Sequence, residues 1–403
     1  MTGTIGLLAE ILDVGRDARR GGYSRHVFDP AERELRDWFV ERATSLGLAI
    51  ETDRNGNIWA WWGQPGANAV VTGSHLDSVP GGGAFDGPLG VASALDAVAQ
   101  LQLEGFTPTR PFAVMVFAEE EGSRFGVACL GSRLLTGAID PTRAGALTDA
   151  SDTTFADAAR DFGLAPEHFG VDREALSRIG VFVELHVEQG RGLIELDRPV
   201  GVASSILAHG RWMLRFAGQG NHAGTTAMSD RHDPMLAAAG AVIAARAIAT
   251  AHAGSRATVG RLEPLPGGTN VIASQVGVWL DVRADRDADA RAVVGEIAAA
   301  AADAADAEGC AVEVAEESYS SEVHFDQQLR DRIAHVLGDA RGDAPLLPTG
   351  AGHDAGVLAA HVPTAMLFVR NPSGISHAPQ EFARDEDAVA GADALVTVLK
   401  ELL

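Results

Sequence analysis

Three apolar runs in this chain stop abruptly at side chains made for chemistry. Residues 69–75 (AVVTGSH) end in His75, residues 111–118 (PFAVMVFA) run into Glu119-Glu120-Glu121, and residues 181–187 (VFVELHV) carry His186 near their end. Short apolar runs of this kind predict buried strands. Residues 88–103 (PLGVASALDAVAQLQL) predict a helix with Pro88 near its first turn. Strands alternating with helices predict an open α/β sheet, and such sheets place their ligands beyond the C-terminal ends of the strands. All three runs put their polar residues there.

The pattern changes after the third run. RWMLRFAG (211–218) predicts a strand and 233–252 a long Ala-rich helix; 256–263 and 275–283 predict two further strands, about 287–307 a helix and about 310–319 a last strand. In QVGVWLDVR (275–283), Val276, Val278, Leu280 and Val282 alternate strictly, so one strand face is apolar. The order β-α-β-β-α-β is the ferredoxin-like split motif. Near residue 322 the first pattern resumes with a helix (326–338), a Gly-rich turn (TGAGHDAG), a strand (364–370) and a terminal helix (384–402). The expected fold class is α/β. Residues 1–206 and 322–403 form one discontinuous α/β/α catalytic domain, and 207–321 form an inserted α+β domain with a sheet face or helix free for dimerisation.

The 403 residues are enough for two domains. Lys and Arg number 32 against 55 Asp and Glu, a formal charge of −23. That excess disfavours nucleic acid and anionic membranes, which need clustered positive charge. Cys129 and Cys310 are the two cysteines, no disulfide framework, and are expected to be reduced and buried. The N-terminus lacks the basic-then-apolar order of a signal peptide, and no apolar run of about 18 residues is free of charge. The expected location is cytoplasmic.

The chemistry lies in four short segments. His75 is followed by Asp77 and, eleven residues on, by Asp86, across a turn containing Gly81, Gly82 and Gly83. Residues i and i+2 of an extended chain face one side, so the Asp77 carboxylate is expected to orient the His75 ring. The glycines allow a tight return of Asp86 to His75, and a carboxylate has two oxygens with which to bridge two ions. Three adjacent carboxylates at 119–121 repel one another and gain nothing from core burial. Separate roles relieve the conflict: Glu121 a ligand, Glu120 the acid/base, Glu119 solvated or supporting. In ELHVEQG (184–190), His186 is the candidate ligand and Gln189 a hydrogen-bonding partner for substrate; His377 stands in GISHAPQE. Three imidazoles with these carboxylates suit two divalent ions of the zinc type. Such a pair makes hydroxide near neutral pH and polarises a carbonyl, so the chain reads as a metal-dependent hydrolase.

GSHLDSVPGGGAFDGPLGV, EEEGSRFG, ELHVEQG, GNHAGTTAM, TNVIASQVGVWLDVR, GAGHDA and GISHAPQE span nearly the whole chain. Together they resemble the M20 group of metallopeptidase-like amidohydrolases. Within it they look like the branch of N-carbamoyl-L-amino acid hydrolases, β-ureidopropionases and allantoate amidohydrolases. The resemblance implies a di-zinc exopeptidase-like domain with an inserted lid and dimerisation domain. It implies His75 and His186 on one ion, Glu121 and His377 on the other, Asp86 bridging them and Glu120 as the base. The ions would be Zn²⁺, with Mn²⁺, Co²⁺ or Ni²⁺ as other candidates. His222, Asn270 and Arg283 fall where the family binds substrate. Arg283 lies opposite the apolar strand face, and its planar guanidinium suits a carboxylate. Asn270 can donate to a carbonyl, and His222 can stabilise an oxyanion. Gly352 is expected to offer its backbone to substrate, with His353 and Asp354 standing behind the ligands. Ala227 and Ala273 replace residues that are often Pro in the family, beside substrate positions.

The implied activity is hydrolysis of the ureido group of a small carboxylate-bearing compound, releasing ammonia and carbon dioxide. An N-carbamoyl-L-amino acid is the first choice and allantoate the second. A dipeptidase or aminoacylase is disfavoured by the EEEGSRFG and NHAGTTAM contexts. A silent metal-binding protein is disfavoured by Glu120, which a binder does not need. The expected partners are that substrate and a second copy of the chain.

Overall fold

The computed structural model describes residues 3–403, so the first two residues of the expected leading domain lie outside the described residues. Six strands come first: β1 (Ala49–Thr52), β2 (Ile58–Trp62), β3 (Ala69–His75), β4 (Phe112–Phe117), β5 (Ile179–Val187) and β6 (Val200–Ile206). Six more follow: β7 (Ala208–Ala217), β8 (Asn221–His222), β9 (Arg256–Leu265), β10 (Val271–Ile272), β11 (Gln275–Ala284) and β12 (Ala311–Ser320). The chain then returns with β13 (Val323–His324), β14 (Leu346–Thr349) and β15 (Thr364–Val369). It divides into two compact units, one running to Ser205 and resuming at His324–Leu403, the other Ile206–Val323.

The first unit is built on a nine-stranded sheet of order β1-β2-β4-β3-β5-β15-β6-β13, with β14 beside β6. The four central strands β4, β3, β5 and β15 run parallel, while β2 and β6 join antiparallel. Residues of β3, β4 and β15 are buried throughout, as strands covered on both faces must be. The helix Pro88–Leu103 begins immediately after the Gly-rich turn and is buried nearly all round. The helices Asp385–Leu402 and Thr4–Glu10 pack on it, and Thr4 ties down the second by donating from N and Oγ1 to Asp96 Oδ2 at 2.9 and 2.8 Å. Gly90 in that helix lies so close to the Leu185 carbonyl that a Cβ there would collide with it. Helix and strand β5 are therefore in direct backbone contact. A second layer gathers Phe28, Phe125, Phe155 and Phe169 with Leu130 and Leu134.

The second unit has a four-stranded antiparallel sheet of order β12-β7-β11-β9 and the β-α-β-β-α-β order of the sequence pattern. Val276, Val278, Leu280 and Val282 of β11 face Ala241, Ala245, Val293 and Ile297 of the two helices Pro234–Ala251 and Asp287–Ala307. The first of these helices is long and apolar enough to cross a membrane by length and composition. Its buried alanines nevertheless form one wall of this core. Cys129 is buried, whereas Cys310 is only half-buried, because it sits at the exposed start of β12; both thiols are free.

Candidate metal centre and active site

Parallel pairing sets the first two histidines. Thr72 of β3 is level with Val183 of β5, so three residues further on His75 and His186 stand side by side, ring centroids 5.8 Å apart. Each ring is fixed from behind. His75 Nδ1 meets the Asp77 carbonyl at 3.0 Å and His186 Nδ1 the Val187 carbonyl at 2.9 Å. Both rings thus point Nε2 forward. The expected Asp77 carboxylate also stands behind His75, its Oδ1 3.7 Å from Nδ1, but the ring's hydrogen bond goes to the Asp77 carbonyl. The chain turns sharply after the strand, so the backbone carbonyl reaches the ring. The carboxylate itself accepts from the Glu120 and Glu121 N–H groups, both at 3.1 Å.

Asp86 is shared. Its Oδ1 lies 3.4 Å from His75 Nε2 and 3.2 Å from His186 Nε2. Its Oδ2 lies 3.5 Å from His377 Nε2, which is in turn 3.3 Å from Glu121 Oε2. Two donor groups result, His75–Asp86–His186 and Asp86–Glu121–His377. Donor atoms around a tetrahedral ion stand about 3.3 Å apart when its bonds are near 2 Å, so these spacings fit two ions. His75 Nε2 is buried and makes no hydrogen bond, which suits a nitrogen whose lone pair serves an ion. Burial works against an ionised Asp86, but His186 and His75 outweigh it and hold the carboxyl well below its usual range. Burial, then Asp86, pushes Glu121 up. Burial also pushes Glu120 up, although His75 opposes it. Carboxylates crowded like this stay ionised together only against added positive charge.

Residues 71–401 match the family model described as peptidase family M20/M25/M40. The chain belongs to that family. It is 35% identical over 398 residues to the N-carbamoyl-L-amino acid amidohydrolase of Geobacillus stearothermophilus, covering 98% of this chain and 97% of the relative. It is 29% identical over 434 residues to allantoate deiminase 1 of Glycine max, covering 98% and 89%. A solved hydantoinase/carbamoylase family amidase from Burkholderia multivorans superposes with a TM-score of 0.89 at 30% identity, covering 99% of this chain and 97% of that one.

In this M20 chain the remaining site residues fall into two sets. Glu120 is buried beside the centre, Oε2 3.7 Å from His75 Nε2 and Oε1 3.6 Å from Cys129 Sγ. Glu119 is not solvated. It is fully buried, and its Oε1 accepts from Arg124 N and Phe125 N at 3.1 and 2.9 Å. Burial, with Asp77 nearby, raises its carboxyl to about 8. Gln189 donates from Nε2 to Asp86 Oδ2 at 2.8 Å and keeps a buried, unpartnered Oε1 for a ligand. Nothing crowds the α-carbon of Gly352. His353, next along, is buried and held well below its usual range by burial and then by His186. The sequence pattern gave no warning of Glu381. It accepts from Phe85 N and Asp86 N at 3.0 and 2.9 Å and from Ser376 Oγ at 3.1 Å. Its only signal is its place five residues after Ser376, at the edge of GISHAPQE.

His222, Asn270 and Arg283 belong to the second unit. His222 is opposite Val271 in the short β8–β10 ladder, and the Asn270 carbonyl accepts from Ala223 N at 3.0 Å, so these two are neighbours. Arg283 is level with His209 and Arg256 near the far end of β11, and its Nε donates to Asp281 Oδ1 at 3.0 Å. The β8–β10 ladder continues from the Gln275 end of that strand. Eight residues at about 3.4 Å each separate the two ends by roughly 27 Å.

Proposed function

We propose that this M20 hydrolase cleaves the ureido carbon–nitrogen bond of a small carboxylate-bearing substrate, an N-carbamoyl-L-amino acid first and allantoate second. The observation that carries the reading is Asp86, shared between two imidazole-containing donor groups with the buried Glu120 alongside. His75, Asp86 and His186 would hold one divalent ion, and Asp86, Glu121 and His377 the other. Such a pair polarises the ureido carbonyl and acidifies water. Glu120 takes the proton of the attacking water and returns it to the departing nitrogen. Burial raises the proton affinity of its carboxyl, which suits it to pick that proton up. Ammonia leaves, and the carbamate that remains breaks down to carbon dioxide and the amine.

Arg283 grips the substrate carboxylate, His222 steadies the oxyanion, and Asn270 and the Gly352 backbone hold the ureido group. A substrate of this class is only about 10 Å long, given a reach of at most about 3.6 Å per residue. Arg283 and the His222–Asn270 pair of one copy are too far apart to serve one such molecule. The second unit therefore acts as a lid and dimerisation domain, with His222 and Asn270 serving the site of the other subunit. The relatives' names support the ureido chemistry and differ in substrate. The deciding experiment measures ammonia release from N-carbamoyl-L-amino acids, allantoate, N-carbamoyl-β-alanine and dipeptides, with Zn²⁺, Mn²⁺ or Co²⁺ added. Turnover of a ureido acid supports the reading, and turnover of dipeptides alone overturns it.

A further inference from the structure

The proposed mechanism leaves one buried imidazole unused. His353 is 3% exposed, and neither of its ring nitrogens has a hydrogen-bond partner. A polar group sealed from water without a partner is unfavourable, so its retention calls for a ligand. The ring lies 4.5 Å from that of His186, centroid to centroid, and is tilted by 58°. Glu184, two residues before His186 on β5, completes the set. One donor atom each from Glu184, His186 and His353 lie within 4.8 Å of one another, and all three residues are buried. The Glu184 carboxylate is already aimed, accepting from Ser74 Oγ at 2.8 Å and from Ala355 N at 3.1 Å. Each of its oxygens keeps a second lone pair.

We propose that Glu184, His186 and His353 form an inner metal seat behind the two-ion centre. Two imidazoles and a carboxylate are a donor set for zinc-type ions. His186 belongs to both seats. Its Nδ1 is engaged by the Val187 carbonyl, so only Nε2 is free, and one ion at a time can use it. The ion on His186 therefore has two positions, the outer with His75 and Asp86 and the inner with Glu184 and His353. The inference rests on the metal centre of the proposed function but not on its substrate.

The test uses Co²⁺ as the probe and no substrate. Metal-free full-length protein is titrated with Co²⁺, following the visible absorption and the bound metal content. His353→Phe keeps a ring and removes both nitrogens. It should fold at least as stably without metal and still take up two equivalents of Co²⁺, because the outer seat is intact, but with an altered visible band. His75→Ala destroys the outer seat and should still bind two equivalents. His75→Ala/His353→Phe should bind one. His353→Asn repeats the comparison with a polar side chain should the Phe variant not fold. Equal stoichiometry with and without His353 in the His75→Ala background, or a visible band unchanged by loss of His353 in the wild-type background, overturns the inner seat. Absence of ureido turnover in the wild type would bear on the proposed function alone.

Discussion

Glu119 and Glu120 are adjacent buried residues with different partners, backbone N–H groups for the first and the His75 side of the centre for the second, and substitution by Gln separates them. Glu120→Gln should preserve fold and metal content and lower kcat by roughly 10²-fold or more, the scale of a general base; Glu119→Gln should change kcat far less. Equal activity of the two variants would refute the division of roles. Glu119 has its own signature in stability. Its folded value of about 8 stands above the ordinary 4.5, so its contribution is complete below about pH 4.5 and is lost as pH rises towards 8. Gln keeps the Oε1 acceptor and fills the unpartnered Oε2 position. Chelator-treated Glu119→Gln protein should therefore show a flatter fall of Tm between pH 5 and 8 than the wild type. Each tenfold difference in proton affinity between folded and unfolded chain is worth about 1.4 kcal/mol. A wild-type slope in the variant would show that Glu119 is already ionised across that range. The motif spacing made the five ligand candidates legible, because ligand chemistry needs rare residue types at strand ends. It did not reveal that Glu119 is as buried as its neighbour and held by backbone N–H groups. Glu119 and Glu381 take backbone N–H groups from turns whose shape depends on tertiary folding, and no residue-type pattern carries that.

At the scale of elements, the loop between β3 and the helix Pro88–Leu103 is clamped from far along the chain. Glu381 holds the N–H groups of Phe85 and Asp86. Gly87 lets the helix start at φ +82, where a Cβ would stand 2.6 Å from the His75 ring. Glu381→Ala should weaken metal binding by about 10- to 100-fold, the usual range for residues that support ligands, while leaving the fold intact. Isothermal titration with Zn²⁺ into metal-free protein measures it, and wild-type affinity would show that the loop holds its shape unaided. Gly87→Ala should do at least as much harm, with loss of stability besides. The apolar strands β3, β4, β5 and β15, and the helices against them, could be read from the sequence because burial on both faces leaves mostly hydrophobic residues, with polar ones gathered towards the site end of β3 and β5. The hairpin β1–β2, the antiparallel β6 and short β14 could not. β1 is half exposed and carries no clean period, and β14 is four residues long with Pro348 inside it. Their pairing is decided by the edges already present.

For the whole molecule, the roughly 27 Å along β11 makes subunit exchange a direct test of how the sites are assembled. Glu120→Gln removes the base of a subunit's own centre. His222→Ala removes a group that, in the proposed assembly, serves the other subunit. Each homodimer should be nearly inactive. In a mixed dimer, the His222→Ala subunit keeps Glu120 and receives an intact His222 from its neighbour, so one of the two sites is whole. Random exchange makes half the dimers mixed, and the mixture should recover about a quarter of wild-type activity in a two-fold symmetric assembly. If each subunit used its own His222, no combination would contain an intact site, and the mixture would stay as inactive as its components. Arg283→Lys gives the companion measurement. It keeps the charge and loses the fork, so KM for ureido acids should rise while uncharged ureido analogues are spared. Equal loss on both substrates would assign Arg283 to holding Asp281 and the sheet rather than to the carboxylate.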